Sequence, residues 1–178
     1  MSPQQSIFLV GPMGSGKSAV GRRLASQLGW EFCDSDTIIE SRTGVDIAFI
    51  FEKEGEAGFR RRERRVIDEI TARKPIVLAT GGGAILAPAN RKCLGSRGTV
   101  VYLHASVEQQ FKRTRHGKER PLLKNGDRRQ VLDDLMQDRD PLYREIADVL
   151  VETDGRTVAA VTAEIRETLA DSTGGHGE

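Results

Sequence analysis

Several residue types that would point to particular functions are scarce in this 178-residue sequence. It has two cysteines, one tryptophan, two tyrosines and three histidines. Cys33 and Cys93 lie far apart, and His104, His116 and His176 fit no HExxH or paired-cysteine spacing, so no zinc site is expected. The cysteines read as free small hydrophobes of a reducing compartment. No apolar run approaches the roughly 18 residues a bilayer-spanning helix needs. The apolar stretch nearest the start, Ile7–Val10, is too short for a signal peptide, so a cytoplasmic protein without a membrane partner is expected. The net charge of +1 provides no basic field for nucleic acid. Asparagine occurs only at Asn90 and Asn125, neither within the N-K-x-D that a guanine-reading GTPase uses. Lysine is sparse as well, with 7 against 20 arginines. Arginine's planar fork suits carboxylate and phosphate ligands, although a GC-rich genome accounts for the ratio on its own.

The sequence that remains has the pattern of one α/β domain. Ile7–Val10, Ile76–Ala79 and Thr99–Leu103 are short apolar runs of the kind buried in a parallel sheet, and Trp30–Cys33 and Asp148–Val151 are two further strands. Val20, Leu24 and Leu28 recur every four residues, which predicts an amphipathic helix closed by Gly29. A helical segment over Thr37–Arg42 follows. The apolar stretch Ile47–Phe51 is then broken by Gly55 and Gly58 before a charged helix from Phe59 to Arg73. Strands alternating with helices predict a five-stranded parallel sheet covered on both faces, with ligands beyond the carboxyl ends of the strands. A single domain over 1–178 is expected, with a mobile loop at about 114–127 and a disordered polar tail from Asp171 to Glu178.

Gly11-Pro12-Met13-Gly14-Ser15-Gly16-Lys17-Ser18 matches G-x-x-x-x-G-K-[ST] in full, between an apolar strand and an amphipathic helix. Its glycines let successive backbone amides turn around a β-phosphate at the start of a helix. Lys17 adds a cation for the β and γ oxygens, and the Ser18 hydroxyl is a ligand for Mg²⁺. ATP is thereby the expected co-substrate. The loop alone does not choose among ATPases, motors and small-molecule kinases.

Three further clusters describe an acceptor. Asp34 and Asp36 flank Ser35 at a strand end, where one can serve Mg²⁺ through water and the other an acceptor hydroxyl; helix capping is an equal alternative. In the run Arg60-Arg61-Arg62-Glu63-Arg64-Arg65 one side of the helix must point inward, and Glu63 is placed to orient Arg60 as a carboxylate fork. Gly81-Gly82-Gly83 after a buried strand marks close approach of a ligand.

The order GPMGSGKS, DSD, FRRRE, GGG, ERPLL and RDPLY, from Ile7 to about Arg156, resembles the shikimate kinases. That resemblance implies a nucleoside-monophosphate-kinase-like fold and transfer of the ATP γ-phosphoryl group to the 3-hydroxyl of shikimate. It implies that Asp34 is linked to Mg²⁺ with Ser18, and that Asp36 holds shikimate hydroxyls and acts as base beside Lys17. Arg60 and Arg139 would clamp the carboxylate, and the Gly82 backbone would touch shikimate within a subregion of about 34–62. Arg120 would reach the transferring phosphates from the lid. Gly14, Ser15, Gly16, Lys17, Ser18 and Ala19 would hold the nucleotide, with Arg113 and Arg156 at the adenine. Ala19 stands where many relatives carry threonine. A monomer is expected. Two rival readings are a gluconate-type kinase on the same fold and a catalytically silent nucleotide-binding regulator.

Overall fold

The computed structural model describes residues 5–115 and 127–174. Five parallel strands form one sheet in the order β2-β3-β1-β4-β5: β1 (Ser6–Val10), β2 (Glu31–Asp34), β3 (Ile76–Ala79), β4 (Gly98–His104) and β5 (Val149–Glu152). The inner strands β1 and β3 are buried at every residue, and for this reason every residue in them except Ser6 is apolar. Alternate residues divide between two cores. Ile7, Leu9 and Val77 pack under α1 (Lys17–Leu28) and α7 (Val158–Gly174). Phe8, Val10, Ile76 and Leu78 pack under α2 (Ser35–Thr43), α3 (Ile47–Thr71), α4 (Pro88–Arg97) and α6 (Arg128–Ile146). The short α5 (Val107–Thr114) lies against α6.

The boundaries differ from the sequence pattern where local chemistry intervenes. The second strand begins at Glu31 rather than Trp30, because the Trp30 amide closes α1 by bonding to the Ala25 carbonyl at 2.9 Å. Only one of the two expected glycine breaks occurs in α3. Gly55 takes φ 71° and ψ 180° and kinks the helix, whereas Gly58 stays helical. A Cβ at Gly58 would lie 2.3 Å from that of Glu54, so the second glycine makes room for the kink that the first creates. At the end of the chain, α7 continues to Gly174, four residues into the segment expected to be disordered. The Ser172 and Thr173 hydroxyls fold back onto it, donating to the Thr168 (3.0 Å) and Ala170 (2.7 Å) carbonyls. The loop expected at about 114–127 falls mostly outside the described residues; α6 begins at Arg128, capped by Asp127, which accepts from the Arg129 amide at 3.0 Å.

The carboxyl ends of the strands share one rim. Gly11 follows β1, Asp34 ends β2, Thr80 follows β3, and Glu152 ends β5. Among the described residues, no helix is long and apolar enough to cross a membrane.

Candidate active site

The loop after β1 is built on left-handed glycines. Gly14 (φ 80°) and Gly16 (φ 88°) adopt backbone that L side chains rarely take, and Gly16 is the N-cap of α1. The first intrahelical bond runs from Val20 to Gly16 (3.0 Å), so α1 turns its positive end toward the loop. Ala19 itself is exposed, which leaves its amide as the group it can offer a phosphate. Lys17 is buried within the loop, its Nζ donating to the Gly11 carbonyl at 2.7 Å and the Pro12 carbonyl at 2.8 Å. An ammonium held at the positive end of a helix is a site for phosphate oxygens.

Asp34 caps a helix with one oxygen and meets the phosphate loop with the other. Oδ1 caps α2 by accepting from the Asp36 amide (3.0 Å) and the Thr37 amide (3.2 Å). Oδ2 accepts from the Ser18 hydroxyl at 2.7 Å, uniting the end of β2 with the phosphate loop. Asp36 is in the first turn of α2 and not in the strand, so it is helical geometry that aims its carboxylate inward, beside Gly81.

Four charged side chains from three helices meet beside this loop. Arg60 donates to Glu63 at 2.9 Å, and Glu63 is 1% exposed. The remaining arginines of that run, Arg61, Arg62, Arg64 and Arg65, face solvent. Arg139 is buried on α6, and its guanidinium would lie 3.6 Å from a Cβ on Gly82. Among the described residues, Asp36 Oδ1, Glu63 Oε2 and Arg60 Nε are buried with no hydrogen-bond partner. Orphaned polar atoms of this kind cost stability and mark a place where a polar ligand completes the network. Burial pushes the Asp36 carboxyl up to about 6, helped by the neighbouring Asp34 charge and opposed by Lys17 and Arg60. Burial likewise pushes Glu63 up to about 7, against the pull of Arg60 and with a smaller push from Asp36.

The three glycines after β3 fill the gap between these groups. The Gly81 amide donates to Ser35 Oγ at 3.1 Å, and an added Cβ would come 2.9 Å from Asp36 Oδ1. A Cβ on Gly83 would come 2.3 Å from the Arg60 guanidinium. Only bare backbone lets two arginines and two carboxylates approach this closely.

On the opposite side of the phosphate loop is a cleft of about 260 Å³. It is lined by Ser15, Gly16 and Val20 together with Arg113, Thr153, Arg156 and Val158. Arg113 is fixed there, donating to the Gly14 carbonyl (2.8 Å) and the Thr153 carbonyl (2.9 Å). Arg156 donates to the Glu152 carbonyl at 2.9 Å and pairs with Glu164. Both guanidiniums border a cavity that has room for a purine. Arg120 lies outside the described residues.

Sequence reasoning overlooked Tyr143, Ser35 and Thr153. Tyr143 donates to the Gly82 carbonyl and is fully buried. Its position was discoverable, because it follows Arg139 by four residues and so shares that helix face.

The shikimate kinase family model matches residues 13–170. A shikimate kinase of Halorhodospira halophila is 60% identical over 163 residues, 92% of each chain. One from Francisella tularensis is 57% identical over 170 residues, covering 95% of this chain and 97% of that relative. Among solved structures, the shikimate kinase from Acinetobacter baumannii in complex with shikimate superposes with a TM-score of 0.92 at 51% identity, covering 94% of each chain. The family model and these relatives, each matching nearly the whole chain, show that the chain belongs to the shikimate kinase family.

Proposed function

We propose that this chain transfers the γ-phosphoryl group of ATP to the 3-hydroxyl of shikimate, releasing shikimate 3-phosphate and ADP. The observation that carries the reading is the buried Asp36–Arg60–Glu63–Arg139 cluster, with its orphaned polar atoms directed at the glycines beside the phosphate loop. Shikimate is a small polyol carboxylate. Arg60 and Arg139 supply two forks for its carboxylate, and the bare backbone at Gly82 leaves room for its ring. Asp36 is the nearest group of the right kind for its hydroxyl.

In the reaction, the acceptor oxygen forms a bond to the γ-phosphorus as the bond from that phosphorus to the β-bridging oxygen breaks. Asp36 takes the hydroxyl proton, and its raised pKa suits it to accept one. Lys17 and the amides at the start of α1 stabilise the charge that builds on the leaving ADP. Ser18 and Asp34 are a hard oxygen pair 2.7 Å apart at the loop, a donor set that fits Mg²⁺ with its remaining ligands from water and phosphate. When bound, Mg²⁺ neutralises β- and γ-phosphate charge. Arg113 and Arg156 border the cleft suited to adenine.

The test is ADP release from ATP with shikimate, gluconate and nucleoside monophosphates as parallel acceptors. Shikimate is expected to be preferred; preference for another acceptor would overturn the assignment.

A further inference from the structure

Arg139 and Tyr143 lie one turn apart on α6 and face the same way, toward the glycines after β3. The Tyr143 hydroxyl donates to the Gly82 carbonyl. Tyr143 is fully buried, and its ring meets Tyr102 edge-on with centroids 4.9 Å apart. Tyr102 in turn donates to Asp140 at 2.7 Å, and Asp140 accepts from Arg144 at 2.9 Å. The Tyr143 hydroxyl is therefore braced from behind and has little freedom to wander.

What it holds is one peptide plane. The Gly82 carbonyl and the Gly83 amide belong to the same rigid unit and point in opposite directions. Fixing the carbonyl toward α6 therefore fixes where the amide points. Among the described residues, neither the Gly82 nor the Gly83 amide donates a hydrogen bond. Both flanks of this peptide are occupied by the acceptor arginines. Position 82 faces Arg139, and position 83 lies against the Arg60 guanidinium. The Gly82 side also borders the phosphate loop, since a Cβ there would be 3.5 Å from the Met13 amide and 3.7 Å from the Gly11 carbonyl. Glycine has the most freedom to lose of any residue, and three in succession would otherwise sample many orientations.

From this we infer that Tyr143 is a positioning residue for phosphoryl transfer. Its hydroxyl locks the Gly82–Gly83 peptide so that acceptor amides, clamp arginines and phosphate loop keep one spacing. The inference rests on the shikimate kinase reading above. It adds a second duty to α6, which carries both one arm of the clamp and the strut that sets the floor beneath it.

The variant Tyr143→Phe keeps the ring against Tyr102 and removes only the hydroxyl. Losing a buried hydrogen bond that orients a substrate contact is expected to lower kcat/KM for shikimate about tenfold, while KM for ATP stays within about twofold. A fall in kcat/KM of less than about threefold, or a parallel rise in the KM for ATP, overturns the inference. Wild-type turnover of shikimate, measured alongside, separates this result from failure of the functional reading itself. If Tyr143→Phe does not fold, the wild-type protein carrying 3-fluorotyrosine decides. The chain has only two tyrosines, so it gives two ¹⁹F resonances, assigned with Tyr102→Phe. The Tyr143 resonance is expected to move with shikimate; a signal that ignores shikimate, or follows ADP equally, overturns the proposal.

Discussion

Alanine at position 83 tests the acceptor grip without replacing a charged residue. The Gly83 backbone (φ −98°, ψ 6°) is open to alanine, so the substitution introduces no backbone strain. The added methyl would meet the Arg60 guanidinium at 2.3 Å from one terminal nitrogen and 2.7 Å from its central carbon. Ordinary contact begins near 3.5 Å, so the guanidinium must retreat by about 1.2 Å. That retreat is cheap for the fold, because the displaced atoms are the end of a long side chain. It is costly for function, since a misplacement of about 1 Å in a positioning group can lower activity on the order of a hundredfold. Arg139 retains part of the grip, so the KM for shikimate is expected to rise by about 10- to 100-fold, equivalent to one charge-assisted hydrogen bond of ~1.5–3 kcal/mol. The KM for ATP is expected to stay within about twofold, and Tm within about 3 °C of wild type. Steady-state ADP release with each substrate varied, together with thermal unfolding, measures all three. A Gly83→Ala protein that binds shikimate as tightly as wild type would refute the placement of Arg60 in the clamp.

Three other outcomes are expected. Asp36→Asn removes the proposed base and is expected to lower turnover at least about a thousandfold, while a fluorescent ADP analogue still binds; substantial turnover would remove Asp36 from that role. Arg139→Ala is expected to raise the KM for shikimate and leave that for ATP unchanged in the same ADP-release assay; a loss confined to ATP would relocate Arg139 to the nucleotide side. The third concerns pH. Burial raises Asp36 from 3.8 to about 6 and Glu63 from 4.5 to about 7, so between these limits the folded state binds more protons than the unfolded chain. The stabilisation this pair contributes is therefore present at the acid end and is lost as pH rises through 6 to 7. The Tm of Asp36→Asn minus that of wild type is accordingly expected to grow from pH 5 to pH 8, whereas wild-type kcat/KM falls below about pH 6 as Asp36 takes its proton. A Tm difference that is flat across this range would show that Asp36 is not desolvated in the folded protein.

The phosphate loop and the two buried central strands were legible because each is encoded locally. A strand covered on both faces has no polar residue to interrupt it, and a loop that wraps phosphate needs glycine where the chain turns left-handed. Arg60 could be singled out by its spacing to Glu63, although the run of arginines around it looked alike. Asp34 remained undecided, since capping and metal service use the same residue types; the structure shows the cap on one oxygen and a hydrogen bond from Ser18 on the other. The kink in α3 was only half legible. Gly55 and Gly58 carry equal weight as helix breakers, and only the three-dimensional path shows that the second accommodates the first. Tyr143 was missed because its partner is a backbone carbonyl 61 residues away, and no sequence pattern records that contact.

The two oxygens of Asp34 have a consequence for turnover. One is committed to the first turn of α2 and the other to Ser18 at the phosphate loop. Partners on the second oxygen can be exchanged in every catalytic cycle without uncapping the helix. The first turn of α2, and Asp36 within it, can therefore stand still while nucleotide arrives and leaves. The proposed base is held by a part of the protein that need not be rebuilt between one turnover and the next.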